Sequence, residues 1–208
     1  MGEETKATRR EGNEVEFSRI VAFSDGVFAI AITLLVLSLH IPENLRGQAL
    51  SSALWDQRQD LLAYALSFAV TGRFWVVHHR FFAEVVGFDG RLLGLNIFYL
   101  AWIALIPFSS EVLGDHGGEA DAVALYAVNL AVVALLGWVM ASYAHREGLA
   151  ELEPRRALEF RARAFFVAAV FLASVPLAFA APSAAPFLWL ALFFDPGGRV
   201  SRRSDAAR

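Results

Sequence analysis

Residues 19–39 read RIVAFSDGVFAIAITLLVLSL, from Arg19 to Leu39, and this stretch decides the fold. Between Ile20 and Ile41 the only formally charged side chain is that of Asp25. A helix of about 22 residues, at about 1.5 Å per residue, is long enough to cross a hydrocarbon core about 30 Å thick. The stretch therefore predicts a transmembrane helix with one acid inside it.

This helix has two different sides. At about 100° per residue, three bulky apolar residues share one stripe, and two earlier residues fall on nearly the same line: Ile30, Leu34 and Leu37, preceded by Arg19 and Phe23. Asp25 points well away from the stripe. The apolar side is free to line something, whereas the polar corner must find partners on neighbouring helices.

The composition indicates a polytopic membrane protein. The chain has 208 residues, of which 57% are hydrophobic, with 18 Phe, which is too apolar for a soluble domain of this size. The absence of cysteine excludes disulfides and thiolate chemistry, and a net charge of −3 with scattered basic residues gives no signal for nucleic acid. The polar residues 1–18 have no apolar segment of a cleaved signal and predict a cytosolic tail.

Further apolar runs predict an all-α bundle of six transmembrane helices, with the membrane domain at 19–196 and a cytosolic tail at 197–208. The later spans are Trp55 or Leu61 to Phe82, Leu92–Ser110, Ala122–Ala144, Ala164–Ala181 and a short sixth at Phe187–Phe194. Loops are predicted at 40–52, 84–91 and 111–121, and 145–163 reads as a charged surface connector. An alternative joins residues 164–194 into one long broken helix.

Charge placement favours six spans. With six, one side of the membrane holds 15 of the 18 Lys and Arg residues, as the positive-inside rule requires of the cytosolic side. With five, the arginines of the C-terminal tail would face outside. We therefore expect a multi-pass protein of the cell membrane with both termini cytosolic.

Asp25 has two interpretations. It is either a wetted carboxylate favoured by the helix dipole, or it joins Ser24 in hydrogen bonds that lock the first helix to its neighbours. In the six-span topology, candidate partners occur at the same depth in the second and third spans: Trp75, His78, His79 and Asn96.

Other chemistries have little support in the sequence. His78 and His79 diverge by about 100° on a helix and lack a third ligand at helical spacing, so a hydrogen-bonding pair is favoured over a metal site. No hydrolase, metalloprotease or phosphate-loop motif supports an enzyme, and the T-V-G-Y-G potassium filter is absent too.

The motif R-x-x-x-F-S-D at Arg19–Asp25, followed by GVFAIAITLLVL, resembles the first helix of the transmembrane protein 175 family, which are potassium channels. The chain carries one copy of the motif and so resembles the prokaryotic single-repeat form. The family also has F-W-x-x-H-H at the end of the second helix and an Asn early in the third, matched here by Trp75, His78, His79 and Asn96. Arg73 departs from that pattern, and three roles stay open for it: it snorkels, pairs with Asp25 or faces water.

The resemblance implies a potassium channel whose first helix lines the pore. The constricting positions would be Ile30, Leu34 and Leu37, and the Thr33 hydroxyl would replace part of an ion's hydration. Because two-repeat relatives work as dimers, the resemblance implies a homotetramer in the lipid bilayer, with potassium as permeant ion and no cofactor. The rivals are a proton-coupled transporter that uses Asp25 with His78 and His79, and a scaffold without transport.

Overall fold

The computed structural model describes residues 2–39, 46–151 and 153–193, and within them the fold is an all-α bundle. Seven α-helices are present in this part of the chain: α1 Gly2–Leu34, α2 Gln48–Asp56, α3 Arg58–Ala83, α4 Gly90–Ala104, α5 Ile106–Asp115, α6 Ala120–Arg146 and α7 Pro154–Ala180. Two 3₁₀ segments, Leu35–Ser38 and Ala185–Phe193, follow α1 and α7.

Five helical segments are long and apolar enough to cross a membrane: Val15–Ser38, Arg58–Phe82, Gly90–Asp115, Ala120–Arg146 and Arg155–Ala180. Helix α6 forms the centre, since half of its most apolar stretch is buried, against 22% for that of α1. On α6, Val123, Tyr126 and Leu130 have no exposed surface at all. Helix α1 therefore lies at the edge of the bundle with most of its surface open.

Several predicted loops are helical instead. Helix α1 begins at Gly2 rather than near Arg19, and α2 occupies the second half of the loop predicted at 40–52. The charged connector predicted at 145–163 is helical in its second half, because α7 starts at Pro154. Proline suits the first turn of a helix, where its fixed φ is helical and no N–H is needed. The predicted tail at 197–208 lies outside the described residues.

The third span is divided. The helix is interrupted at Leu105, between α4 and α5. Pro107 follows two residues later and lies in the first turn of α5. A proline inside a continuous helix would clash with the carbonyl four residues earlier, but it is tolerated at a helix start. Helix α5 then runs to Asp115, so the loop predicted from residue 111 begins too early.

Two connectors are tied together at one end of the bundle. Helix α6 ends in a Schellman motif, in which Gly148 adopts φ +67° and the Leu149 amide donates to the Ala144 carbonyl at 2.8 Å. The Leu149 carbonyl accepts from the Val86 amide at 2.9 Å. The loop after α3 is thereby joined to the loop after α6.

Asp89 lies at the same end of the bundle and caps the N-terminus of α4. Its carboxylate accepts the Leu92 amide at 2.8 Å, as expected of an N-cap, and it also accepts the hydroxyl of Tyr143 on α6. The Tyr143 hydrogen bond, with the smaller contribution of the Leu92 amide, lowers the pKa of Asp89.

The last described segment turns back along α7. Trp189 packs against Phe171 with ring centroids 5.8 Å apart, and its indole N–H donates to the Ser174 hydroxyl at 3.1 Å. Residues 164–193 therefore do not form one long broken helix. The returning segment has nine residues, which at about 2 Å each covers less than the thickness of a hydrocarbon core.

Candidate functional site

The first helix is held by one side only. Ser24, Phe28, Ala31 and Leu35 are spaced four, three and four residues apart, and none is more than 1% exposed. This spacing is that of a single helix face. The face buries α1 against the bundle and leaves the rest of its circumference uncovered.

A buried chain of hydrogen bonds joins three helices at Ser24. The Asn96 amide on α4 donates to the Ser24 hydroxyl at 3.0 Å, and its carbonyl oxygen lies 2.9 Å from the ring Nε2 of His78 on α3. Because the assigned carbonyl oxygen accepts, His78 carries its proton on Nε2 in this arrangement. All three side chains are at most 3% exposed. The arrangement can fix the depth and rotation of α1 relative to α3 and α4.

Aromatic rings surround the His78 imidazole. Its centroid lies 4.5 Å from that of Phe82, 5.4 Å from that of Phe28 and 5.4 Å from that of Tyr99. The sequence analysis did not identify these three rings. Helical spacing could have found them, because Phe28 follows Ser24 by four residues, Phe82 follows His78 by four, and Tyr99 follows Asn96 by three.

Asp25 belongs to a separate, more exposed contact. The Trp75 indole donates to the Asp25 carboxylate at 2.9 Å, and the Trp75 ring stacks on His79 with centroids 5.6 Å apart. The adjacent histidines therefore diverge, with His78 buried and His79 exposed. A direct proton relay would require a hydrogen bond between Asp25 and one of the histidines, and the described residues contain none.

Three other residues singled out in the sequence stand apart from these contacts. Arg19 is exposed, and Phe23 is 59% exposed on the outer side of α1. Within the described part of the chain, Arg19 forms no hydrogen bond or ion pair with Asp25, Trp75 or Asn96. Arg73 is exposed on α3 and is likewise not paired with Asp25 there. The predicted structural role of Arg19 and Phe23 stays a prediction.

The apolar stripe lies on the open side of α1. Ile30 is 61% exposed, Leu34 42% and Leu37 62%, so none of these side chains is buried by its own chain. The Thr33 hydroxyl, also exposed, donates to the Ile30 carbonyl at 2.9 Å. Its proton is thus used by the helix, and its oxygen lone pairs remain available to accept from outside.

A second buried polar layer, not anticipated from the sequence, lies deeper in the bundle. Ser67 on α3 is 2.7 Å from the Ser110 hydroxyl of α5 and 3.0 Å from the Tyr126 hydroxyl of α6. Nearby, the Asn129 amide donates to the Ser109 hydroxyl at 2.9 Å. Ser67 precedes His78 by 11 residues, about 16 Å along α3, so the two polar layers are distinct.

Together, the apolar helices and their buried polar layers define a multi-pass α-helical membrane protein. Residues 19–107 match the family model described as "Endosomal/lysosomal potassium channel TMEM175". The structure also resembles the crystal structure of a lysosomal potassium-selective channel TMEM175 homolog from Chamaesiphon minutus, with a TM-score of 0.77 and 28% identity, covering 86% of this chain and 96% of that one. These matches make TMEM175 channels the proteins that this chain resembles in sequence over residues 19–107 and in fold.

The chain is similar in sequence to both bacterial and animal proteins. A potassium channel of Streptomyces collinus is 40% identical over 122 residues, which is 58% of this chain and 59% of the relative. The endosomal/lysosomal proton channel TMEM175 of Danio rerio is 34% identical over 147 residues, which is 63% of this chain and 28% of the relative. The matched region thus spans less than two thirds of either relative.

Proposed function

We propose that the protein is a potassium-selective channel whose pore is lined by α1. The observation that carries the proposal is the division of α1 into a buried face and an open apolar stripe. Helix α1 is fixed by Ser24 and Phe28, while Ile30, Leu34 and Leu37 are left 42–62% exposed. Support also comes from the solved relative, which is described as potassium-selective, and from the Streptomyces relative, which is described as a potassium channel.

The pore lies on the symmetry axis of a homotetramer. One α1 cannot enclose a pore, so the open stripes of several copies must face one another, and cyclic symmetry closes such an assembly. In such an assembly the exposed apolar side chains of α1 face the other copies around the axis. A native-mass measurement of the purified protein should give four chains, and a monomer alone would refute this arrangement.

The stripe forms a hydrophobic constriction. Rings of Ile30, Leu34 and Leu37 narrow the pore, and an apolar wall cannot replace the hydration shell of an ion, so conduction requires the rings to widen. Thr33 lies on the same open side, and its free lone pairs face the permeating potassium ion. The polar contacts of Ser24, Asp25, Trp75, His78, His79 and Asn96 hold α1 at the depth and rotation that the rings need. Arg19 and Phe23 support the same position of α1 from its exposed side.

The topology has six spans and places both termini in the cytosol. The segment Ala185–Phe193 serves as the start of a short sixth span that packs against α7 through Trp189. Charge supports this orientation, because the side with both termini then holds 15 of the 18 basic residues. The protein then resides in the cell membrane.

The decisive experiment is single-channel recording from the purified chain in a planar bilayer with asymmetric potassium and sodium. Currents should reverse near the potassium equilibrium potential. Reversal near zero would contradict selectivity. Flux that saturates early and follows a proton gradient would favour a carrier using Asp25 with the histidines, and a silent bilayer would favour a scaffold.

Proton permeation through the same pore is a second candidate. The observation that favours it is the Danio rerio relative, described as a proton channel. The same bilayer distinguishes the two ions: with potassium equal on both sides and a pH gradient imposed, a proton current shifts the reversal potential and a pure potassium current does not.

A further inference from the structure

A crevice of about 830 Å³ opens between α3 and α7, with α6 behind it. Small-molecule sites in proteins occupy about 300–1,000 Å³, so the crevice has the size of a ligand site. The lining includes apolar and aromatic side chains: Leu66, Ala69, Val70, Phe74, Val133, Val167 and Phe171. It also includes four arginines and two glutamates: Arg73, Arg80, Arg156, Arg163, Glu84 and Glu159.

Two of the arginines share one line along α3. Arg73 and Arg80 are seven residues apart, which is two helical turns on the same face and about 10 Å along the axis. Both lie inside the candidate membrane span Arg58–Phe82, and both are exposed. A charge at such a place requires a compensating partner or a path to water.

The acids of the crevice are already engaged with other arginines. Glu84 lies 3.4 Å from the guanidinium of Arg156, and Glu159 lies 3.5 Å from that of Arg155. Within the described residues, Arg73 and Arg80 have no acidic side chain at ion-pair distance. The crevice thus presents uncompensated positive charge beside an apolar wall, on the surface of a membrane bundle.

We propose that this crevice binds an anionic phospholipid. The phosphate group lies against Arg73 and Arg80, whose guanidinium groups bind phosphate oxygens in a fork, and the acyl chains fill the apolar part beside Ala69. A free phosphate would satisfy the arginines but leave the apolar wall uncovered. A zwitterionic lipid would cover the wall but bring its own cation to the arginines.

The test measures lipid binding to the purified full-length chain by native mass spectrometry, with phosphatidylglycerol, phosphatidylcholine or inorganic phosphate as probe. Wild type should retain phosphatidylglycerol in preference to the other two. Each arginine changed to glutamine, Arg73→Gln or Arg80→Gln, should weaken phosphatidylglycerol binding about fivefold, and both together about thirtyfold. Arg91→Gln, an exposed arginine outside the crevice, is the matched control and should leave binding unchanged.

A matched pair of substitutions tests the contribution of the apolar lining to lipid binding. Ala69→Trp fills the crevice while keeping both arginines, and should reduce lipid retention, whereas Ala65→Trp, exposed on α3 but outside the lining, should not. A photoreactive phosphatidylglycerol should label peptides of α3 and α7 at the crevice. The proposal would be overturned by equal retention of both lipids or by retention of inorganic phosphate alone. It would also be overturned if Arg91→Gln caused an equal loss of binding, or if the crevice were not labelled because a second copy of the chain fills it. None of these readouts depends on ion conduction.

Discussion

Replacing Asn96 by leucine should destabilise the protein by about 1–3 kcal/mol. The substitution keeps the size and branching of the side chain and removes two hydrogen bonds, of 3.0 Å to Ser24 and 2.9 Å to His78. Ser24 loses little, because its hydroxyl still donates to the Ile20 carbonyl at 2.9 Å. His78 loses its acceptor inside a cage of aromatic rings, so most of the cost is that of one buried unpaired donor.

The chain contains a matched control for this substitution. Asn129 is 3% exposed, and its amide also donates to a serine that keeps a bond to its own helix, Ser109 to the Ile106 carbonyl at 3.1 Å. The Asn129 carbonyl oxygen has no hydrogen-bond partner among the described residues. Asn129→Leu removes that unpaired acceptor and orphans no donor, so we expect it to be neutral or stabilising.

The assay is reversible unfolding in mixed micelles with increasing SDS, at fixed chain concentration because assembly adds to apparent stability. Asn96→Leu should shift the midpoint to lower SDS, and Asn129→Leu should not. Combining Asn96→Leu with Ser24→Ala should cost less than the sum of the two, since the shared bond is lost only once. Equal effects of the two Asn→Leu changes, or strict additivity with Ser24→Ala, would refute the assigned network.

The remaining predictions concern the pore, the polar corner and pH. Ile30→Asn should raise leak and reduce potassium over sodium discrimination in bilayer recordings more than Val36→Asn, which lies about 120° around the helix; equal effects would show that the pore face is misassigned. Asp25→Ala, which leaves an indole N–H without its acceptor, should cost about 1–3 kcal/mol and lower tetramer yield, and normal assembly with normal currents would exclude the structural role. Because the Tyr143 hydroxyl lowers the pKa of Asp89, this carboxylate stabilises the fold above about pH 4 and the contribution is lost as pH falls through the lowered pKa. Tyr143→Phe should therefore flatten the acid side of the stability profile, and an unchanged profile would count against the linkage.

The grouping of polar residues was accessible from the sequence, because a polar side chain in an apolar helix needs a partner at its own depth. Ser24, His78 and Asn96 satisfy that condition, and the structure joins them through Asn96, which hydrogen-bonds to Ser24 at 3.0 Å and to His78 at 2.9 Å. The specific pairing was not accessible. Asp25 and His78 are equally plausible partners by depth, but side-chain direction on α1 sends Asp25 to Trp75 instead.

Helix ends are less predictable, because glycine, proline and charged residues occur both in loops and at the ends of helices. Pro107 and Pro154 instead lie in the first turns of α5 and α7, where proline is tolerated, so each marks a start rather than a stop. The second polar layer gave a weak signal for a different reason. Serines such as Ser67 and Ser110 are common in membrane helices and can bond their own backbone, so their spacing alone does not indicate contact between helices.

The proposed pore stripe is not uniform along α1, and this determines which position tests it best. Ile30 and Leu34 belong to the α-helix, whereas Leu37 belongs to the 3₁₀ segment Leu35–Ser38. A 3₁₀ helix turns about 120° per residue against about 100° for an α-helix, so a change of Leu35–Ser38 to α geometry would rotate Leu37 by about 60° relative to Leu34 and leave Ile30 in place. The buried contacts of Ser24 and Phe28 hold the α-helical part, and Ile30 is two residues from Phe28. A substitution at Ile30 therefore reports on the face of the helix, while one at Leu37 would also report on the geometry of the turn that carries it.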